Sequence, residues 1–179
     1  YDNDLVIYHG ETYKSAVGVL LEVKRPSNTK EMLTADEANV KALQQILLYY
    51  LKERYLEDNK EMKYLIVTNI YDWFIFDVSV FEHFFFEHKK WIKKYKAWEN
   101  KQSGIKKTNW FYEEFAKPLL ENEIQELTAT HFNLKNLQKI VEQNDKEADK
   151  KLISFYKILS PAHLLKQNFA NDNNTLNKE

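Results

Sequence analysis

Val17-Gly18-Val19-Leu20-Leu21-Glu22-Val23-Lys24 is an apolar, β-branched run that ends on a carboxylate and an ammonium. It is too short and too branched for a good helix and suits a buried strand, on which residues two apart share a face. Glu22 and Lys24 therefore point the same way at the strand end. Upstream, Asp4-Leu5-Val6-Ile7-Tyr8 reads as a second strand, and His9-Gly10 opens a polar turn through Glu11, Thr12, Lys14 and Ser15. The two strands are expected to form a hairpin with Asp4 at the head of the first. Two carboxylates and a lysine converging on one strand end can hold a hard divalent cation and set a positive charge beside an attacked phosphate. Asp2 competes with Asp4 as the first ligand, but Asp4 opens the strand directly. Glu22 and Lys24 are expected to face an open polar site and to form little of the core. His9 lies close enough to approach the site, and a solvent-exposed turn histidine is the alternative.

Beyond the strand, Pro26 and the polar Ser27-Asn28 break the run, and Thr34-Ala35-Asp36-Glu37 has the form of a capping box that predicts a helix from there to about Tyr55. Leu43, Ile46, Leu47, Tyr50 and Leu51 form its apolar face, and Lys41, Gln45, Tyr49 and Glu53 follow at i+4 on a polar stripe. Residues 63–69 and 73–78 read as strands joined by a turn at Ile70-Tyr71-Asp72. Ser79-Val80-Phe81-Glu82 offers a second capping box, and Phe81, Phe84, Phe85 and Phe86 are dense enough to be core. Two short helices punctuated by Pro118 are predicted over 110–116 and 119–127, then an extended segment over 128–134. A charged bridge over 136–150 leads to a helix over 152–159, and Ser160-Pro161 restarts a helix.

At Asp4 and Glu22-Val23-Lys24 the chain resembles the PD-(D/E)XK nuclease superfamily, whose signature is an acidic residue opening one strand and E-x-K on the next. The stretches Glu22-Val23-Lys24-Arg25-Pro26-Ser27-Asn28, Glu31-Met32, Lys41-Ala42-Leu43-Gln44, Leu48-Tyr49-Tyr50-Leu51 and residues 67–77, with Phe115-Ala116-Lys117-Pro118 and residues 157–165, resemble the nuclease part of bifunctional type IIG restriction-modification enzymes. The resemblance implies an α/β fold, a restriction-endonuclease-like core of mixed sheet and flanking helices plus a helical C-terminal region. It implies a nuclease domain over 1–135, lacking the helix and strand that usually precede the acidic residue, and a helical connector over 136–179 toward a methyltransferase region outside this chain. The implied activity is Mg²⁺-dependent, site-specific hydrolysis of double-stranded DNA. Asp4 and Glu22 would bind metal, the Val23 carbonyl would add an oxygen ligand, and Lys24 would position or help deprotonate the attacking water. S-adenosylmethionine would serve only the absent methyltransferase region. Gln45-x-x-x-Tyr49 resembles a Q-x-x-x-Y pattern that supports the active site in some branches. A different reading stays open beside this one, a non-catalytic DNA-binding or interaction scaffold that has kept the nuclease fold.

Composition bounds these expectations. The 179 residues, 44% hydrophobic, suffice for one sizeable core. Cysteine is absent, which excludes disulfide stapling and fits a reducing cytoplasm. No apolar run nears the roughly 20 residues that span a bilayer, so a membrane partner is not expected. The chain opens on Tyr1, almost at a strand, as a piece of a longer protein would. The five histidines show no zinc spacing, and three glycines leave no room for a phosphate-cradling loop.

Net charge is only −1, so any DNA-binding surface must be local. Lys89, Lys90, Lys93, Lys94, Lys96, Lys101, Lys106 and Lys107 stand against Glu99, with Trp91, Tyr95 and Trp98 interleaved. Two readings fit this segment. Lys93, Lys94, Lys106 and Lys107, with Arg25 and Lys41, would neutralise phosphates without reading bases; or the aromatic residues, at helical spacing, form a core-facing stripe on a helix whose other face is merely solvated.

Overall fold

The computed structural model describes residues 5–100, 108–122, 128–135 and 146–165. The chain divides into two compact units, Tyr1–Lys135 and Asn136–Glu179. In the first, β1 (Leu5–Tyr8), β2 (Val17–Val23), β3 (Tyr64–Thr68), β4 (Asp72–Asp77) and β5 (Thr130–Asn133) form one mixed sheet in sequence order. The fold is α/β. β2 and β3 run parallel and all other neighbours antiparallel. A parallel pair needs a crossover, and α1 (Lys41–Tyr55) supplies it. Central strands covered on both faces read as continuous apolar runs, and β2 and β3 are buried along nearly their whole length.

α1 presses Leu43, Ile46, Leu47, Tyr50 and Leu51, all fully buried, against the face of the sheet that carries Leu20, Leu65 and Val67. Each such side chain contributes roughly 1.5–3 kcal/mol of transfer free energy. The helix begins at Lys41, six residues later than a capping box on Thr34 predicts. Thr34 Oγ1 does accept the Glu37 N–H at 3.0 Å, but the Thr34 N–H also donates to the Glu37 carbonyl at 3.0 Å. The reciprocal bonds close a loop instead of opening a helix, and that loop buries Met32 and Leu33. The polar stripe is also shorter than expected: Glu53 is buried, with Oε2 accepting from Asn59 Nδ2 at 3.0 Å.

β3 and β4 turn at Ile70, a β-branched residue at φ 79°, a backbone region such side chains rarely enter. Asn69 Oδ1 holds the turn by accepting the Tyr71 and Asp72 amides at 3.1 and 2.6 Å. α2 (Val78–Glu87) is capped by Asp77, whose side chain accepts the Ser79 N–H at 2.9 Å. The Ser79 capping box is therefore not used, and Glu82 pairs with Arg54 at 2.8 Å. α3 is Lys89–Glu99.

Pro118 does not interrupt the helical run, contrary to expectation. Thr108–Trp110, Phe111–Ala116 and Lys117–Asn122 follow one another, the middle segment with π-type turns. In that segment bonds run from the fifth residue on, as from the Lys117 N–H to the Tyr112 carbonyl, a register in which the Glu114 carbonyl does not depend on Pro118. Lys94 Nζ donates to the Glu114 carbonyl at 2.5 Å.

In the second unit, Lys146–Leu159 is a helix that starts earlier than predicted and buries Ala148 and Phe155. Ser160 then caps Pro161–Leu164, with proline in the first turn. Among the described residues no helix is long and apolar enough to cross a membrane.

Candidate functional site

Strand periodicity and one backbone bond set the geometry at the end of β2. Val23 pairs with Thr68 of β3, and the Lys24 N–H donates to the Thr68 carbonyl at 2.8 Å, so the extended backbone continues through Lys24. Glu22 and Lys24 therefore share the face that looks toward α1. Lys24 Nζ lies 2.9 Å from Glu22 Oε1, donates to Gln45 Oε1 on α1 at 2.5 Å, and lies 3.4 Å from Glu31 Oε2. An ammonium has three N–H donors, and three acceptors surround this one.

The cluster is sheltered, not open. The Glu22 and Lys24 side chains are 3% and 10% exposed, which corrects the expectation of an open polar site. They line neither of two surface hollows, one of about 790 Å³ beside α3 and one of about 580 Å³ beside the β1–β2 turn. Covering Lys24 from water is favourable only because its charge and its donors are met by partners.

Glu31 joins the cluster from the loop before α1 and was not among the expected site residues. Asn28 Nδ2 donates to its Oε2 at 2.9 Å. The Asn28-x-x-Glu31 spacing of a short polar turn was the one local signal. Asn28's amide holds the Glu31 carboxyl below the ordinary carboxylate value of 4.5, partial burial works against this, and the Lys24 charge adds to the lowering.

Lys41, expected to contact DNA, has its Nζ 2.9 Å from the centre of the Tyr112 ring, a cation–π arrangement. Burial pulls its pKa below the usual lysine range, Glu31 opposes the shift, and Lys24 adds to it. Tyr49 is half-buried, and Arg25 is exposed beside the cluster. The structure brings Glu22, Lys24 and Gln45 together. Asp4, the proposed partner carboxylate, lies outside the described residues, as do Asp2, Lys106 and Lys107. β1 begins at Leu5, which pairs with Leu21.

The donor chemistry suits Mg²⁺, since the Glu22 carboxylate and the Val23 carbonyl are hard oxygens. Among the described residues, however, no three acidic or histidine side chains come together to hold an ion.

The histidines take structural places. His9 Nε2 bonds to the Glu61 carbonyl at 2.7 Å. His131 stacks on Phe74, with ring centroids 4.1 Å apart, and its Nε2 lies 3.0 Å from Asp72 Oδ1.

Fold and site define an α/β domain with a lysine–carboxylate cluster at the carboxyl end of a central parallel strand, the edge at which open α/β sheets place ligands. The chain belongs to the family described as domain of unknown function DUF7149, whose model matches residues 1–172. No curated protein and no solved structure matches it.

Proposed function

We propose that this chain is a Mg²⁺-dependent endonuclease domain that hydrolyses DNA phosphodiester bonds, with a PD-(D/E)XK core, carried in a bifunctional type IIG restriction-modification enzyme. One observation carries the reading: Lys24 Nζ is held between Glu22 Oε1 and Gln45 Oε1, on β2 and the crossover helix that follows it. Glu22, the Val23 carbonyl and Asp4 would hold the ion, and the proposal requires Asp4 to lie across from Glu22, next after the Leu5–Leu21 pair. Bound Mg²⁺ would lower the pKa of a coordinated water and polarise the phosphoryl oxygen. Lys24 would orient the attacking water and offset charge growing on the phosphate, since phosphoryl chemistry rests on positioning and electrostatics. Gln45 would hold the ammonium on station.

The test is plasmid nicking in Mg²⁺ by the parent chain and by Glu22→Gln. Nicking is expected to disappear in the variant, and replacing Mg²⁺ with Ca²⁺ is expected to permit DNA binding without turnover. Full nicking by a folded Glu22→Gln protein, or equal rates with both ions, removes the assignment.

The scaffold reading is favoured by a different observation, the low exposure of Lys24 and Glu22 behind Glu31 and Gln45. Under it the cluster only ties α1 and the preceding loop to β2. DNA binding that persists with no nicking in Mg²⁺ by any variant or by the parent would decide for it.

A further inference from the structure

The lysines of α3 do not form one surface. Lys94 turns to the Glu114 carbonyl and the Trp91 and Trp110 rings. Lys89, Lys93 and Lys96, four and three residues apart, lie on another side and line the open groove of about 790 Å³, together with Tyr55 and Phe86. The acids of that groove are already matched: Glu82 with Arg54 at 2.8 Å and Asp58 with Lys60 at 3.5 Å. Among the described residues Lys89, Lys93 and Lys96 have no carboxylate partner within salt-bridge distance, which gives the groove excess positive charge. Phe86 is 70% exposed, with Lys89 Nζ 5.3 Å from its ring centre, and Lys96 Nζ is 5.9 Å from that of Tyr55.

We propose that this groove binds a single-stranded stretch of nucleic acid, its phosphates along the Lys89–Lys93–Lys96 row and one unpaired base on the Phe86 ring. Seven residues of helix extend about 10 Å, longer than one phosphate, so the row can follow the backbone of a strand laid along the groove. Lysine is a point charge that takes phosphate without choosing a sequence. An exposed phenyl beside ammonium groups is the platform on which unpaired bases stack, and a duplex hides those base faces. The inference goes beyond the nuclease reading and uses none of the residues at the end of β2.

The test is fluorescence anisotropy of a labelled oligothymidylate with the 179-residue chain, in EDTA across a salt series. Lys89→Gln/Lys93→Gln/Lys96→Gln, checked for unchanged thermal unfolding, is expected to bind at least ten-fold more weakly at low salt. Its slope of log affinity against log salt is expected to be shallower by about 2, at roughly 0.7 per phosphate on single strands. Phe86→Ala is expected to lose roughly ten-fold, the stacking contribution of one base, and Phe86→Trp to retain binding. A matched duplex is expected to bind more weakly and to ignore Phe86→Ala. Parent-like binding by the folded triple variant overturns the proposal, as does an unaffected Phe86→Ala together with equal competition by duplex and heparin. Glu22→Gln separates the two readings: it is expected to bind the oligonucleotide like the parent while losing nicking. Groove-dependent binding without any nicking leaves this proposal standing and removes the nuclease alone.

Discussion

Lys24 and the lysines of α3 carry the same charge in opposite circumstances. Lys24 is one-tenth exposed, and its ammonium faces two carboxylates and an amide oxygen drawn from β2, the following loop and α1. Lys89, Lys93 and Lys96 stand in an open groove, with no carboxylate partner among the described residues. A lysine fixed by three partners is preorganised and can act on a bond at a defined place, whereas loosely held lysines supply affinity that salt screens. Local density of charge does not distinguish these roles; the partners do.

Lys24→Ala breaks this contrast most severely. It leaves the Glu22 carboxylate sheltered without its counter-ion, and the loss of one partner of a buried pair costs about 3–5 kcal/mol. Urea denaturation is expected to show a large drop in midpoint at unchanged slope, along with loss of nicking. Glu22→Gln is expected to cost less, about 1.5–3 kcal/mol, because Glu31 and Gln45 still face the ammonium. Equal destabilisation by the two would mean that Glu31 does not share the charge.

Neighbouring residues of α3 sharpen the comparison further. Lys94→Met removes the donor to the Glu114 carbonyl, and an exposed bond of this kind is expected to cost about 1 kcal/mol. Lys93→Met is expected to leave stability within about 0.5 kcal/mol and to weaken nucleic-acid binding instead. Thermal unfolding of the two single variants beside one binding titration separates them. A reversal, with Lys93 structural and Lys94 needed for binding, would break the division of the helix.

The smallest effect is one of pH. Because folding lowers the Glu31 pKa from 4.5, the unfolded chain binds more protons in that window and stability rises with pH through it. The contribution is complete above 4.5 and is lost as pH falls through the folded-state value. Glu31→Gln is expected to flatten the acid limb of urea midpoints measured between about pH 5 and pH 3. An unchanged limb would show that Glu31 is not coupled to the cluster.

Strands β2, β3 and β4 and the apolar face of α1 were legible because backbone geometry repeats every 2 or 3.6 residues and apolar side chains follow it. The stripe of Trp91, Tyr95 and Trp98 was legible for the same reason, and all three are buried. Helix starts were less so. Thr34 makes the bond that its capping pattern promises, yet a loop satisfies that bond as well as a helix does. Pro118 marked a break by its missing donor, but the segment before it takes π-type turns and the run continued.

By itself the sequence determined that Glu22 and Lys24 share a face, because two residues on one strand are related by the pleat alone. It offered the burial of the aromatic stripe of α3 as one of two readings of that segment, and the docking of the helix realised it. Only tertiary structure decided which charges meet. Gln45 reaches Lys24 across 21 positions of chain, and Lys94 reaches the Glu114 carbonyl across 20. Such partners depend on how strand, loop and helices dock, where the drive to bury apolar faces sets the distances and leaves each polar group to bond with whatever it meets.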